Sequence, residues 1–257
     1  MKSPILEIKP EVGLTAFIKK AYWATAPLGA LAFWGGVVLA ARRYPSEYDW
    51  RYMPVSDLFS DSRNPVGHLW ASMGVVLCSV CLMCWAVLAQ RWTRANAGMY
   101  PRGLRAIQLG SFFFACSAAL PASALPIAKG HELLTILAFA GLCLGTGFLM
   151  YQTVERILLR RMRGSIGNSR IFASVLAGTS MLSILLAGAV QAYIYYALPA
   201  LPWVNLSWRT SGVPVYLSFA FWEWVTCVVL SAYFTILALT AARYTPSELP
   251  THSGGRK

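Results

Sequence analysis

Five side chains carry the chemistry that this sequence offers: Ser56, Asp57, His68, His131 and Glu223. Glu223 is the most constrained, because it sits inside an apolar and aromatic run, Val215–Leu230, of the kind that crosses membranes. A carboxylate at membrane depth costs roughly 2.5–3.5 kcal/mol on insertion scales, so it needs a hydrogen-bonding partner or a polar cavity. Thr226 or a neighbouring helix would make it a structural acid; a cavity would make it a site. A histidine beside a carboxylate serves as a general base near neutral pH. His68 and His131 with one acid would instead hold a zinc ion with an open position for water. In a catalytic arrangement Asp57 orients His131 as the base, and His68 and Glu223 complete the site or hold the metal. Ser56 opens a short turn, where serine more often caps a helix than attacks a substrate.

Other motifs fail on spacing. His131-Glu132-Leu-Leu-Thr135 begins like a zinc-protease His-Glu-x-x-His helix, but Thr135 stands where the second histidine is required. Cys78, Cys81 and Cys84 follow one another along a single apolar helix. Cys84 lies about 24 Å deeper than His68 at 1.5 Å per residue, so these thiols share no site with the histidines and act as small apolar groups. Axial ligation of a haem by His68 and His131 would require two inward-facing histidines across a wide gap, and helix ends beside a charged loop are a poor place to bury one.

The elements that must position these residues follow from composition. The chain has 257 residues, of which 57% are hydrophobic and 12% charged, against roughly 25% charged in soluble domains. Six stretches reach the ~20 residues that a membrane-spanning helix needs: Thr25–Ala41, Val66–Gln90, Leu104–Leu125, His131–Gln152, Ile171–Tyr195 and Val215–Ala241. Without water in the bilayer core each must satisfy its own backbone, so each is a helix. The expected fold is all-α, an integral membrane six-helix bundle forming one domain over residues 1–245, with a flexible tail over 246–257.

Charge sets the orientation. With the N-terminus in the cytoplasm, the inner segments hold 16 of the 22 Lys and Arg residues and the outer loops hold 6. The positive-inside rule then places both termini in the cytoplasm, in a membrane of the bacterial cytoplasmic type. The net charge of +12 becomes a topology signal and an attraction to anionic lipid heads. There is no soluble basic face for nucleic acid. The first span begins too far in, and ends on Arg42-Arg43, so it is an anchor and not a cleaved secretion signal. Ahead of it, Glu11–Lys20 reads as a short amphipathic helix on the inner surface.

This orientation gathers the polar residues at one side. His68, His131 and Glu223 all fall near the outer ends of inward-running helices, beside the first outer loop, Arg42–Pro65. That loop is long for a compact bundle and too aromatic for disorder, so it is expected to fold over the helix ends as a cap. Asn64-Pro65 reads as an N-cap and first helical residue opening the second span. Trp and Tyr residues crowd the outer ends of the last two spans, as interfacial anchors do. Gly141 and Gly145 form a Gly-x-x-x-Gly pair for close helix contact, within the chain or between copies.

At Pro54-Val-Ser-Asp-Leu58, followed by Asn64-Pro65, the chain resembles domain-of-unknown-function family 998, six-span bacterial and archaeal proteins distantly related to the Frag/DRAM type. That group has a Ser-Asp pair after the first span and a Pro-then-His element near the fourth, matched here by Pro126 and His131. The resemblance implies that Ser56, Asp57 and His131 are motif residues of an outer site; His68 and Glu223 have no counterpart in the pattern. Some eukaryotic relatives remodel the lipid of glycosylphosphatidylinositol anchors and others influence autophagy. The resulting expectation is an outer-leaflet polar site that binds or modifies a lipid head group by hydrolysis or acyl transfer. The alternatives are a non-catalytic subunit of a larger membrane complex, or a transporter. Membrane lipids are the expected partners, with a homo-oligomer as a further possibility.

Overall fold

Long helices build most of the described chain. The computed structural model describes residues 12–96, 101–119, 128–161 and 214–243, with scattered positions between 175 and 193. Helix α1 spans Val12–Ala41, α2 His68–Asn96, α3 Pro101–Ala119 and α4 Ala128–Arg161. The described positions between 175 and 193 are all helical, and α5 denotes those positions alone. Helix α6 spans Phe219–Arg243. No strand occurs among the described residues, and the fold is all-α. Four helices are long and apolar enough to cross a membrane, over Ala24–Ala41, His68–Gln90, Leu133–Tyr151 and Phe219–Leu239.

Several boundaries differ from the expected spans. The segment before Thr25 is not a separate surface helix: α1 is continuous from Val12, since no Gly or Pro interrupts the chain between Lys19 and Thr25. Helix α3 opens on Pro101, whose missing N–H costs nothing at a first helical position. Helix α6 starts four residues later than its apolar run, because Pro214 and a 3₁₀ turn over Val215–Leu217 precede it. The loop over residues 196–213, Pro126 and the tail from 246 lie outside the described residues.

The bundle has an apolar core, with Trp85, Leu104, Ile107 and Phe234 buried in it, and an apolar outer face as well. Large apolar side chains point outward, among them Leu31 (69% exposed), Ile136 (65%) and Leu144 (60%). Small polar side chains point inward: Ser72, Ser79, Ser111, Thr146 and Thr226 are buried. An outer face this apolar suits hydrocarbon, where no water competes for the helix surface. Close helix contact rests on paired glycines. A Cβ on Gly36 of α1 would fall 2.8 Å from Gly74 Cα of α2, and one on Gly141 of α4 would fall 2.6 Å from Gly110 Cα of α3. The Gly141/Gly145 pair is thus used inside the chain, against α3. Around the bundle α6 packs on α1, α1 on α2, α2 on α3 and α3 on α4. Met181 and Ser183 of α5 touch Gly147 of α4 and Thr226 of α6.

The loop between α1 and α2 folds over one end of this bundle. Its anchor is Asn64, fully buried. The Asn64 side-chain amide donates to Ala40 O at the end of α1 (3.2 Å) and Leu58 O in the loop (3.3 Å). Its carbonyl oxygen accepts from Gly67 N at 3.0 Å in the turn that leads into α2, as an N-cap residue accepts from the N–H three positions on. One side chain therefore ties α1, the loop and α2 together. Gly67 must be glycine here, since a Cβ would meet the Asn64 side chain at 2.5 Å. Tyr48 donates from its hydroxyl to the carbonyl oxygens of Met53 and Pro54, and Trp224 donates from its indole to Met53 O at 3.1 Å. Burial holds the Tyr48 phenol far above its usual pKa, with Glu223 and Asp57 adding to the shift, so it stays a neutral donor.

A buried group left without its partner costs about 1–3 kcal/mol. Asn64→Ala should therefore lower the unfolding free energy by about 3 kcal/mol, seen as a fall in melting temperature in detergent. A melting temperature unchanged by this substitution would mean that the cap is held elsewhere.

Candidate functional site

The cap turn Val55–Phe59 is a 3₁₀ helix preceded by Pro54. The first N–H groups of a helix have no partner within it, and proline has no side chain able to cap them. Glu223 supplies the missing acceptor from 168 residues away: Val55 N donates to Glu223 Oε2 at 2.8 Å. A carboxylate also suits the positive end of a helical turn. The other carboxylate oxygen, Oε1, has no hydrogen-bond partner among the described residues. Thr226, the partner expected from sequence, instead donates to Trp222 O at 2.8 Å and lies 2.9 Å from Ser183 Oγ. Because α6 begins at Phe219, Glu223 sits one turn below the helix start, about 6 Å at 1.5 Å per residue and shallower than the apolar run suggests.

Glu223 lines a cleft with about 350 Å³ of empty space, its open side included. Around it stand Ser56 and Phe59 of the cap, Phe114 and Ser117 of α3, and Thr135 and Phe139 of α4. Ser117 Oγ donates to Phe114 O at 2.9 Å. Thr135 Oγ1 is buried without a hydrogen-bond partner. A second space, about 510 Å³ with its open side included, shares Phe114, Phe139 and Cys227 with the first. It continues between the helices past Phe33, Leu82, Leu142, Leu230 and Phe234, where the lining is almost wholly apolar. From Glu223 to Phe234 along α6 the two together run roughly 16 Å at 1.5 Å per residue. Ser56, Ser117, Thr135 and Glu223 line the cleft under the cap among apolar neighbours, and below it the lining is more apolar still.

The expected site residues divide between this cleft and the cap. Ser56 and Glu223 share the cleft. Asp57 is buried but directed into the loop, where it pairs with the half-exposed Arg63 guanidinium. Burial raises the Asp57 pKa above its usual value, and the Arg63 charge and hydrogen bond oppose that rise. His68 opens α2, and its Nδ1 is 3.1 Å from the carbonyl oxygens of both Asn64 and Pro65. Two carbonyl acceptors there place a hydrogen on Nδ1. His68 does not line the cleft. The His131 backbone belongs to α4, four residues before Thr135, and its side chain lies outside the described residues. Among the described residues no three His, Cys, Asp or Glu side chains converge as metal ligands. Sequence reasoning misses Asn64 as a brace and Thr135 as a lining residue; Thr135 draws notice only as the substitute in a failed zinc motif.

No family model, curated protein or solved structure matches the chain. Function is therefore a question for the cleft and the cap themselves.

The Asp57 shift has a definite sign. Its folded pKa is raised, so the folded protein holds this proton at pH values where the unfolded chain has released it. Stability from this group is then full below the ordinary value of 3.8 and is lost as pH rises toward the raised folded value. Asp57→Asn should remove that part of the decline, which melting curves recorded upward from about pH 4 would detect. An identical slope in wild type and variant would show that the carboxyl is not desolvated as its burial implies.

Proposed function

We propose that this is a six-span membrane protein that binds a lipid, with the headgroup beneath the cap and one chain in the apolar shaft. The observation that carries this reading is the polarity gradient of the cleft: Glu223, Ser56 and Thr135 at one end, Phe33, Leu142 and Phe234 at the other. Its length of roughly 16 Å is about half of the ~30 Å hydrocarbon core, the reach of a single leaflet. Pockets for small ligands share this make-up, mostly apolar with a few placed polar groups.

The distribution of basic residues supports placing the cap on the outer face and both termini in the cytoplasm. The headgroup end then belongs to the outer leaflet. Modification of the bound lipid by hydrolysis or acyl transfer is supported by Ser56, the cap serine that lines the cleft. The Ser56-Asp57 pair is also where the resemblance to family 998 rests.

Two measurements test this. Filling the shaft with Ala30→Leu should reduce the lipid that co-purifies, counted by native mass spectrometry, while costing about 1–3 kcal/mol of stability at most. Lipid occupancy equal to wild type would remove the shaft from the binding site. For orientation, a cysteine replacing Glu47 in the cap should react with an impermeant thiol reagent on intact cells, and one replacing Arg163 should not. The opposite labelling pattern would move the site to the inner leaflet.

A further inference from the structure

The charge of the cleft selects among headgroups, an inference that rests on the lipid-binding reading above. Glu223 is 8% exposed and has one oxygen, Oε1, without a partner among the described residues. Thr135 Oγ1 is a buried hydroxyl without a partner, able to accept or to donate, and Thr135 lines the same space. The other polar lining groups are the hydroxyls of Ser56 and Ser117, and the Ser117 hydrogen already goes to Phe114 O. None of the described lining residues is Lys, Arg or His. Arg63, the nearest cation in the cap sequence, is engaged by Asp57.

A carboxyl ringed by hydroxyls, with no cation among the described lining residues, gives no countercharge to a headgroup that ends in negative charge. It suits a group rich in N–H donors and carrying positive charge. An ammonium has three donors and no acceptor, and a charge-assisted hydrogen bond to a carboxylate is among the stronger ones available. We infer that the cleft takes a lipid whose headgroup ends in a primary ammonium, with that group at Glu223 and Thr135. A phosphate carrying the ammonium would stay nearer the cleft mouth, away from the carboxylate.

Binding of four probes to the full chain in detergent tests this: phosphatidylethanolamine, phosphatidylglycerol and diacylglycerol with matched chains, and glycerophosphoethanolamine without chains. Phosphatidylethanolamine should bind about tenfold more tightly than phosphatidylglycerol, the difference expected of one charge-assisted hydrogen bond. Glu223→Gln keeps an oxygen for Val55 N and should hold the cap in place, with the preference falling to near unity. Thr135→Val, which touches no cap contact, should weaken phosphatidylethanolamine several-fold and leave diacylglycerol unchanged. Equal or tighter binding of phosphatidylglycerol by the wild type would overturn the ammonium assignment while sparing the lipid reading. Glycerophosphoethanolamine binding as tightly as the full lipid would keep the ammonium site and overturn the lipid shaft. Failure of all four probes to bind would overturn both.

Discussion

The hydrogen bond from Val55 N to Glu223 Oε2 joins two parts of the chain that sequence keeps 168 residues apart. It is what makes the loop a cap. The turn beginning at Val55 follows a proline and has no local means of satisfying its first N–H. The acid in α6 sits in an apolar helix and has no local means of satisfying its own oxygens. Each defect answers the other, and both become tolerable only when the cap is seated on α6. Tyr48 and Trp224 reinforce the same seat from either side of the turn, through Met53 O and Pro54 O. Their rings also meet at 6.1 Å in an edge-to-face arrangement, which adds a contact of favourable geometry.

Beneath the cap the helices follow a different rule. With apolar side chains turned outward, the interior cannot be organised by expulsion of water, and close backbone approach replaces it. Gly36 with Gly74, and Gly110 with Gly141, bring two pairs of helices into direct contact. Tight contact in pairs leaves space where the pairs meet. The cleft opens there, between the cap, α3, α4 and α6, and continues toward α1 and α2. Phe114 and Phe139, with ring centroids 6.2 Å apart, line both the end that holds the polar groups and the apolar end.

Much of this is legible in the sequence, and the parts that are not have physical reasons. Helical class and membrane-spanning length follow from long apolar runs that leave the backbone no other way to satisfy itself. The capping role of Asn64 can be read because an N-cap is local: residue, proline, and a donor three positions on. Its bonds to Ala40 and Leu58 cannot, since they depend on how α1 and the loop meet. Asp57 reads as the helper of a histidine because both are rare polar residues near one end. Arg63 lies only six residues away and takes the carboxylate first. Thr135 is invisible, because threonine in an apolar helix usually bonds its own preceding turn, as Thr146 does to Leu142 O at 2.6 Å. Only the surrounding walls set Thr135 apart.

Glu223 serves as brace with one oxygen and remains open with the other, and these two roles constrain each other. A second internal donor to Oε1 would complete the brace and close the polar end of the cleft. An apolar residue at 223 would avoid the cost of an acid at depth but leave Val55 N buried and unpaired. A single bond from the cap is the intermediate arrangement. It fixes the rotamer of the carboxyl, so the open oxygen is held in place before anything binds, and pre-organisation of this kind lowers the entropic cost of binding. The incompletely satisfied acid is thus the one point where the stability of the cap and the occupancy of the cleft draw on the same side chain.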